Sequence, residues 1–467
     1  MNRLIVSLVT VLFSCVLAAQ DITGNWDGVL SIQDIKLRLA FHITATDNGL
    51  TATMDSPDQG AYALPMTSVT YVDGLLTLTL NSANINYTGR LDENGVIKGE
   101  FKQGGQPIPM DLTRTTTPIE KKVRPQDPVA PFPYKVEEVF FENPAAGIKL
   151  AGTLTVPEGK GKFPAIILIS GSGPQNRDEE LMDHRPFAVL ADFFTRNGIA
   201  VLRYDDRGSY ASQGDFQSAT SVDFATDAAA AVAYLKTRKE INNKKIGLAG
   251  HSEGGLIAPL VAVDHKKDVS FIILMAGPGV NGEIIMLEQQ ELIGRANDMP
   301  EETLMKTKSM NQQIFDVIKN NPDSITRREK MDVLLRRLMS ENSEMIQGGD
   351  VDTMVEQLKN NLLTPWMLYF ITHDPGIVLE KVKCPVLAIN GSLDLQVPSG
   401  LNLSAIESSL RKGGNRKFKM VELDGLNHLF QECETGSPTE YATIEQTFAP
   451  VAMETMLEWL RKMKIVK

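Results

Sequence analysis

The run Gly250-His251-Ser252-Glu253-Gly254-Gly255 sets a serine between two glycines, directly after the apolar stretch 246–249 and directly before a helical stretch that starts at Leu256. On so sharp a strand-to-helix turn the glycines relieve backbone crowding and the hydroxyl is lifted above the sheet. A serine becomes a nucleophile only when a base takes its proton and a third group orients that base. With six histidines in the chain, the base is found by elimination. His42 lies among alternating apolar and polar runs, His251 adjoins the serine, His265 ends a helix beside two lysines, His373 closes a helical interval and His184 opens a helix. His428 remains, in a loop after the apolar strand 418–423, at the carboxyl end where open parallel sheets gather their catalysts. Asp394 follows the strand 386–389 and projects from the same edge, which makes it the candidate orienting acid. Two other readings stand beside it: Asp394 as a helix cap, and Asp424 as the acid nearer to His428 in sequence. Charge developing on a substrate oxygen calls for two fixed N–H donors. One is assigned to Glu253, next after the serine, and the other to Ser172 in Ser170-Gly171-Ser172-Gly173-Pro174, with Gly171 second in line. That turn lacks the Lys-Ser/Thr ending of a phosphate loop, and no His-Glu-x-x-His or other ligand spacing occurs, so neither a nucleotide cofactor nor a metal is expected.

Presenting these groups at one edge requires a particular scaffold. The short continuous apolar runs 165–169, 200–202, 246–249, 271–274 and 386–389 read as strands buried on both faces, and helical patterns lie between them at 188–196, 224–237 and 256–265. Strand and helix in alternation predict a mostly parallel sheet covered on both sides. The interval 283–370, rich in Glu, Lys, Met, Leu and Gln with no strand run, predicts an inserted helical cap at about 280–378. Its methionines at 299, 305, 310, 331, 339, 345 and 354 are expected to be helix core.

The amino-terminal third is different. Residues 1–19 have a basic start, an apolar stretch and small residues at Ala18 and Ala19, the build of a secretory signal peptide. Export is therefore expected, with a lipid-modified Cys15 as the less favoured alternative. The apolar stretch is too short to span a bilayer, and no transmembrane segment is predicted. From 20 to 115 about eight alternating runs broken by turn residues predict a small antiparallel β barrel or sandwich. Its opening Gly24-Asn25-Trp26 resembles the first strand of lipocalin-like barrels, a resemblance that implies an arginine, here Arg114, over the tryptophan ring. The proline-rich stretch 116–133 reads as a linker to a second domain over 134–467. The formal charge, 47 − 58 = −11, argues against nucleic acid as a partner. Cys384 and Cys433, the cysteines left after the signal segment, are expected to be free thiols.

The chain order Ser252, Asp394, His428 is that of the α/β-hydrolases. The runs Asp183-His184-Arg185-Pro186-Phe187, Arg203-Tyr204-Asp205-Asp206-Arg207-Gly208 and Gly250-His251-Ser252-Glu253-Gly254-Gly255 are similar to those of the EstD-type bacterial carboxylesterases. That resemblance implies cofactor-free hydrolysis of a small-molecule, short-acyl carboxylic ester through a serine triad, with the nucleophile at Ser252, the acid at Asp394 and the base at His428. Ser209-Tyr210-Ala211-Ser212 departs from the more glycine-rich turn usual there. Asp205 and Arg207 are read as an ion pair beneath the site. Two alternatives are an exported serine aminopeptidase or acyl-peptidase of the same fold, and a carbohydrate- or lipid-binding protein whose β domain carries the function.

Overall fold

The computed structural model describes residues 21–32, 35–46, 49–57, 61–103, 107–116, 123–342 and 350–466. The signal segment, Cys15, Met345 and the linker residues 117–122 lie outside them. The chain divides into two compact units, Met1–Ser56 with Tyr62–Ile119, and Pro57–Ala61 with Glu120–Lys467.

The first unit is antiparallel throughout its described pairings. Its strands are β1 (Gly24–Ile32), β2 (Ile35–Thr46), β3 (Gly49–Ser56), β4 (Ala61–Pro65), β5 (Ser68–Val72), β6 (Leu75–Leu80), β7 (Ile85–Leu91), β8 (Val96–Gln103), β9 (Ile108–Pro109) and β10 (Leu112–Thr115). They join in the order β4-β3-β2-β1-β10-β8-β7-β6-β5, with β9 on β8. Among the described residues the strands number ten rather than about eight, because β9 and β10 are too short to show a period of two. Trp26, Phe41, Leu76, Leu78, Tyr87 and Ile97 fill the core. Arg114 lies opposite Trp26 in the β1–β10 register, with its guanidinium carbon 4.5 Å from the ring centre.

The second unit is built on β11 (Tyr134–Asn143), β12 (Ile148–Pro157), β13 (Phe163–Ile169), β14 (Ala200–Tyr204), β15 (Ile241–His251), β16 (Phe271–Met275), β17 (Val386–Gly391) and β18 (Phe418–Leu423). Their order is β11-β12-β14-β13-β15-β16-β17-β18, antiparallel from β11 through the β12–β14 pairing and parallel from there on. Successive residues of the central strands face opposite layers. Ile167, Ile169, Leu248 and Leu274 pack with α2 (Ser221–Thr237), α3 (Glu253–Asp264) and α10 (Ser399–Lys412). Ile166, Leu168, Ala249 and Ile273 pack with α1 (Pro186–Arg196) and α11 (Pro450–Lys462). Burial on both faces is why these strands read as unbroken apolar runs.

Between β16 and β17 stand the helices α4 (Gly282–Ala296), α5 (Glu301–Asn320), α6 (Ser324–Glu341), α7 (Val351–Leu362), α8 (Pro365–Thr372) and α9 (Pro375–Leu379). Met331 and Met339 are buried in their shared core, and Met310 and Met354 pack against it. Met299 and Met305 instead are exposed, so the methionine pattern marks core only in part. Cys384 and Cys433 are free thiols. Among the described residues no helix is long and apolar enough to cross a membrane.

Candidate active site

The elbow follows from what its glycines leave out. A Cβ on Gly250 would overlap the carbonyl of Gly254, and one on Gly254 would overlap the carbonyl of Ile169, so only glycine lets α3 start this close to the strand ends. Ser252, between β15 and α3, takes φ 51° and ψ −117°, a conformation L-residues adopt at a cost of about 1–3 kcal/mol and that persists where the surroundings enforce it. The Ser252 N–H donates to the Met275 carbonyl at 2.9 Å, and its carbonyl accepts from Gly255 at 2.8 Å.

His428 and Asp394 come from the loops after β18 and β17 and meet at 2.8 Å, Nδ1 to Oδ2, both buried. The other carboxylate oxygen of Asp394 accepts the N–H groups of Gln396 and Val397, each at 2.8 Å, which fixes the acid before it meets the ring. With Nδ1 engaged, Nε2 of His428 is the nitrogen left for proton transfer. Asp424 is occupied elsewhere, accepting from the Ser392 hydroxyl at 3.3 Å. The His428 ring centre lies 4.8 Å from that of His251, the residue before Ser252.

The loop after β13 is anchored by the two aspartates that follow β14. Asp206 accepts from the Ser170 hydroxyl at 2.7 Å and the Gln175 N–H at 2.9 Å; burial pushes its carboxyl well above the usual carboxylate range. Asp205 takes Arg177 through two side-chain nitrogens, at 3.0 and 2.8 Å, and through the Arg177 N–H at 2.9 Å. The expected Asp205–Arg207 pair is therefore not formed. Residues two apart in this loop diverge, and Arg207 turns instead to Asp227 of α2 at 2.7 Å. Of the two candidate donors in this loop, the Gly171 N–H is spent on Glu179 Oε1 at 2.6 Å, which leaves Ser172 as the remaining candidate. His184 packs at the start of α1 with both ring nitrogens bonded, to Thr447 and the Tyr441 carbonyl.

Two functions escaped the sequence. The Glu253 side chain is buried and bridges two elements, accepting from Ser221 of α2 at 2.6 Å and from the Trp366 indole of α8 at 2.8 Å, and burial raises its pKa. Glu179 and His251 form a buried pair at 3.0 Å. The sequence pattern named Glu253 only for its N–H, and nothing in it singled out Glu179. Among the described residues no group of three or more His, Cys, Asp or Glu side chains is placed to hold a metal.

Sheet order, elbow and the loops that converge on it define an α/β-hydrolase. The model of the X-Pro dipeptidyl-peptidase (S15) family matches residues 146–405, and the chain belongs to that family. The match takes in Ser252 and Asp394 and ends before His428. Among curated proteins the chain is 26% identical over 367 residues to "Esterase EstD" of Thermotoga maritima, covering 78% of this chain and 74% of that one. It is 28% identical over 256 residues to an "Acyl transferase" of Photobacterium leiognathi, covering 52% of this chain and 78% of that one. Among solved structures, that of Est1E from Butyrivibrio proteoclasticus with ferulic acid bound matches at TM-score 0.40 and 20% identity, over 69% of this chain and 99% of that one. The chain is a hydrolase.

Proposed function

We propose that the protein is a serine carboxylesterase that cleaves short-acyl carboxylic esters through an acyl-enzyme. His428 Nε2 takes the Ser252 proton as Oγ attacks the carbonyl carbon, and the Glu253 and Ser172 N–H groups receive the oxyanion. His428 returns the proton to the departing alkoxide, and water then repeats the sequence to free the acid and Ser252. The observation that supports this reading is the buried 2.8 Å His428–Asp394 hydrogen bond, with the His428 ring 4.8 Å from that of His251, the residue before an elbow serine at φ 51°. The preference for esters rests on the similarity to a protein named an esterase over 78% of the chain.

The family match favours a second reading, a peptidase acting near a free amino terminus. A panel of p-nitrophenyl acetate and butyrate against aminoacyl and X-Pro p-nitroanilides separates them. The esterase reading expects turnover of the esters and little of the anilides, and faster anilide cleavage refutes it. Export through residues 1–19 is part of the proposal and predicts a mature amino terminus near Gln20, which terminal sequencing of the cell-envelope protein checks.

A further inference from the structure

We propose that His251 is a positioning residue held as a doubly donating imidazolium, paired with Glu179, that clamps the oxyanion loop and the His428 loop to the nucleophile elbow. The geometry starts from the ring's two partners. Nδ1 stands 3.0 Å from Glu179 Oε1, and Nε2 stands 3.0 Å from the backbone carbonyl of His428. The His428 carbonyl has no hydrogen to give, and neither has Glu179 as a carboxylate, so beside that ionised partner a neutral ring would set a lone pair against one of two oxygens. Only the cation donates to both. It is buried, as is Glu179, and a buried charge persists where it is paired and hydrogen-bonded.

The pair spans the parts that must stay in register. Glu179 Oε1 also accepts the Gly171 N–H at 2.6 Å, so one carboxylate holds both His251 and the backbone next to Ser172. Through Nε2 the same ring holds the backbone of His428. Glu179 itself sits at φ 49°, an unfavourable conformation for a residue with a side chain, which marks the loop as shaped to deliver this carboxylate. A Cβ on Gly171 would come within 3.2 Å of the Ser252 Cβ and 3.3 Å of Glu179 Oε1, so the three segments meet without spare room.

The charged and titratable groups facing His251 are Glu179 from the loop before α1, the His428 ring from the loop after β18, and the Asp394 carboxylate from the loop after β17. Asp206, after β14, bears on the pair through Glu179. Burial opposes the charge on His251, but Glu179 and the His428 carbonyl outweigh it and raise its pKa. A raised histidine keeps its clamp below that pKa and loses it as pH rises through it. In turnover this appears as an alkaline limb. That part rests on the serine-hydrolase reading above, whereas the charge state does not.

The test is nitrogen-15 NMR of the imidazoles in the full chain, where six histidines make assignment practical and His251→Gln identifies the signal. Both His251 ring nitrogens are expected to carry protons at neutral pH, where an ordinary histidine is mostly uncharged. Glu179→Gln, which keeps the acceptor oxygen and drops the charge, is expected to lower the pH of proton loss by roughly 1–3 units and to move the alkaline limb of kcat/KM down with it. A singly protonated His251 ring at neutral pH overturns the proposal whatever the activity. A Glu179→Gln profile superimposed on the parent overturns it too. Loss of the esterase reading would show instead as a doubly protonated His251 in a protein that turns over no ester. If Glu179→Gln does not fold, the parent spectrum alone decides.

Discussion

Replacing Asp394 by asparagine tests the catalytic geometry at a single atom. One oxygen of Asp394 accepts two backbone N–H groups at 2.8 Å and the other faces His428 Nδ1 at 2.8 Å. An asparagine must keep its carbonyl oxygen toward the two N–H donors, because its amide nitrogen there would set donors against donors. The NH2 group then points at Nδ1 and donates to it. The ring proton is driven to Nε2, the atom that the proposed mechanism needs free to take a proton from Ser252. The fold barely notices, since both backbone bonds survive, but the base is held in the wrong tautomer. For a triad acid held this way the loss in kcat is about 10⁴, or about 5.4 kcal/mol at 1.36 kcal/mol per tenfold. Initial rates on p-nitrophenyl acetate, with a melting curve on the same sample, measure both. Asp394→Ala is the contrasting variant: it strands the Gln396 and Val397 N–H groups and costs about 1–3 kcal/mol of stability for each if water does not reach them. Activity of Asp394→Asn within tenfold of the parent refutes the reasoning, as does a larger loss from Asp424→Asn.

Ser252→Gly is expected to abolish turnover and still raise the melting temperature, because glycine takes φ 51° without the strain a side chain brings; relief of about 1 kcal/mol corresponds to roughly 2 °C in a domain of this size, and a lower melting temperature would show that the elbow is not strained. Glu253→Gln keeps an oxygen acceptor for Ser221 and Trp366 and removes a charge that burial disfavours. An acid whose pKa is raised on folding costs the fold stability as pH climbs from its unfolded value, near 4.5, toward its folded value. The variant's melting temperature is therefore expected to gain on the parent as pH rises from 4.5 and then level off. A gap that does not change with pH contradicts the buried-carboxylate account.

The framework was legible because its signals are local. The apolar strand before Gly250 and the glycines around Ser252 name the elbow in a dozen residues, and Asp394 and His428 each follow a strand ending at the same edge. The helical insertion declared itself by lacking any strand run. What stayed hidden depends on where side chains meet after folding. Asp205 and Arg207 look like partners in sequence yet take Arg177 and Asp227, because a tight loop sends neighbours in different directions. Glu179 and His251 stand 72 positions apart, and only the fold shows that one ring has an acceptor at each nitrogen. Methionines proved a weak marker, since the same composition serves buried Met331 and exposed Met305.

The central claim, that Ser252 is a nucleophile activated by His428, is tested most directly by covalent labelling with a fluorophosphonate followed by peptide mapping. One adduct on Ser252 is predicted in the parent, none in Ser252→Ala, and labelling slowed by orders of magnitude in His428→Ala. An unlabelled parent, an adduct on another residue, or undiminished labelling of His428→Ala contradicts the account.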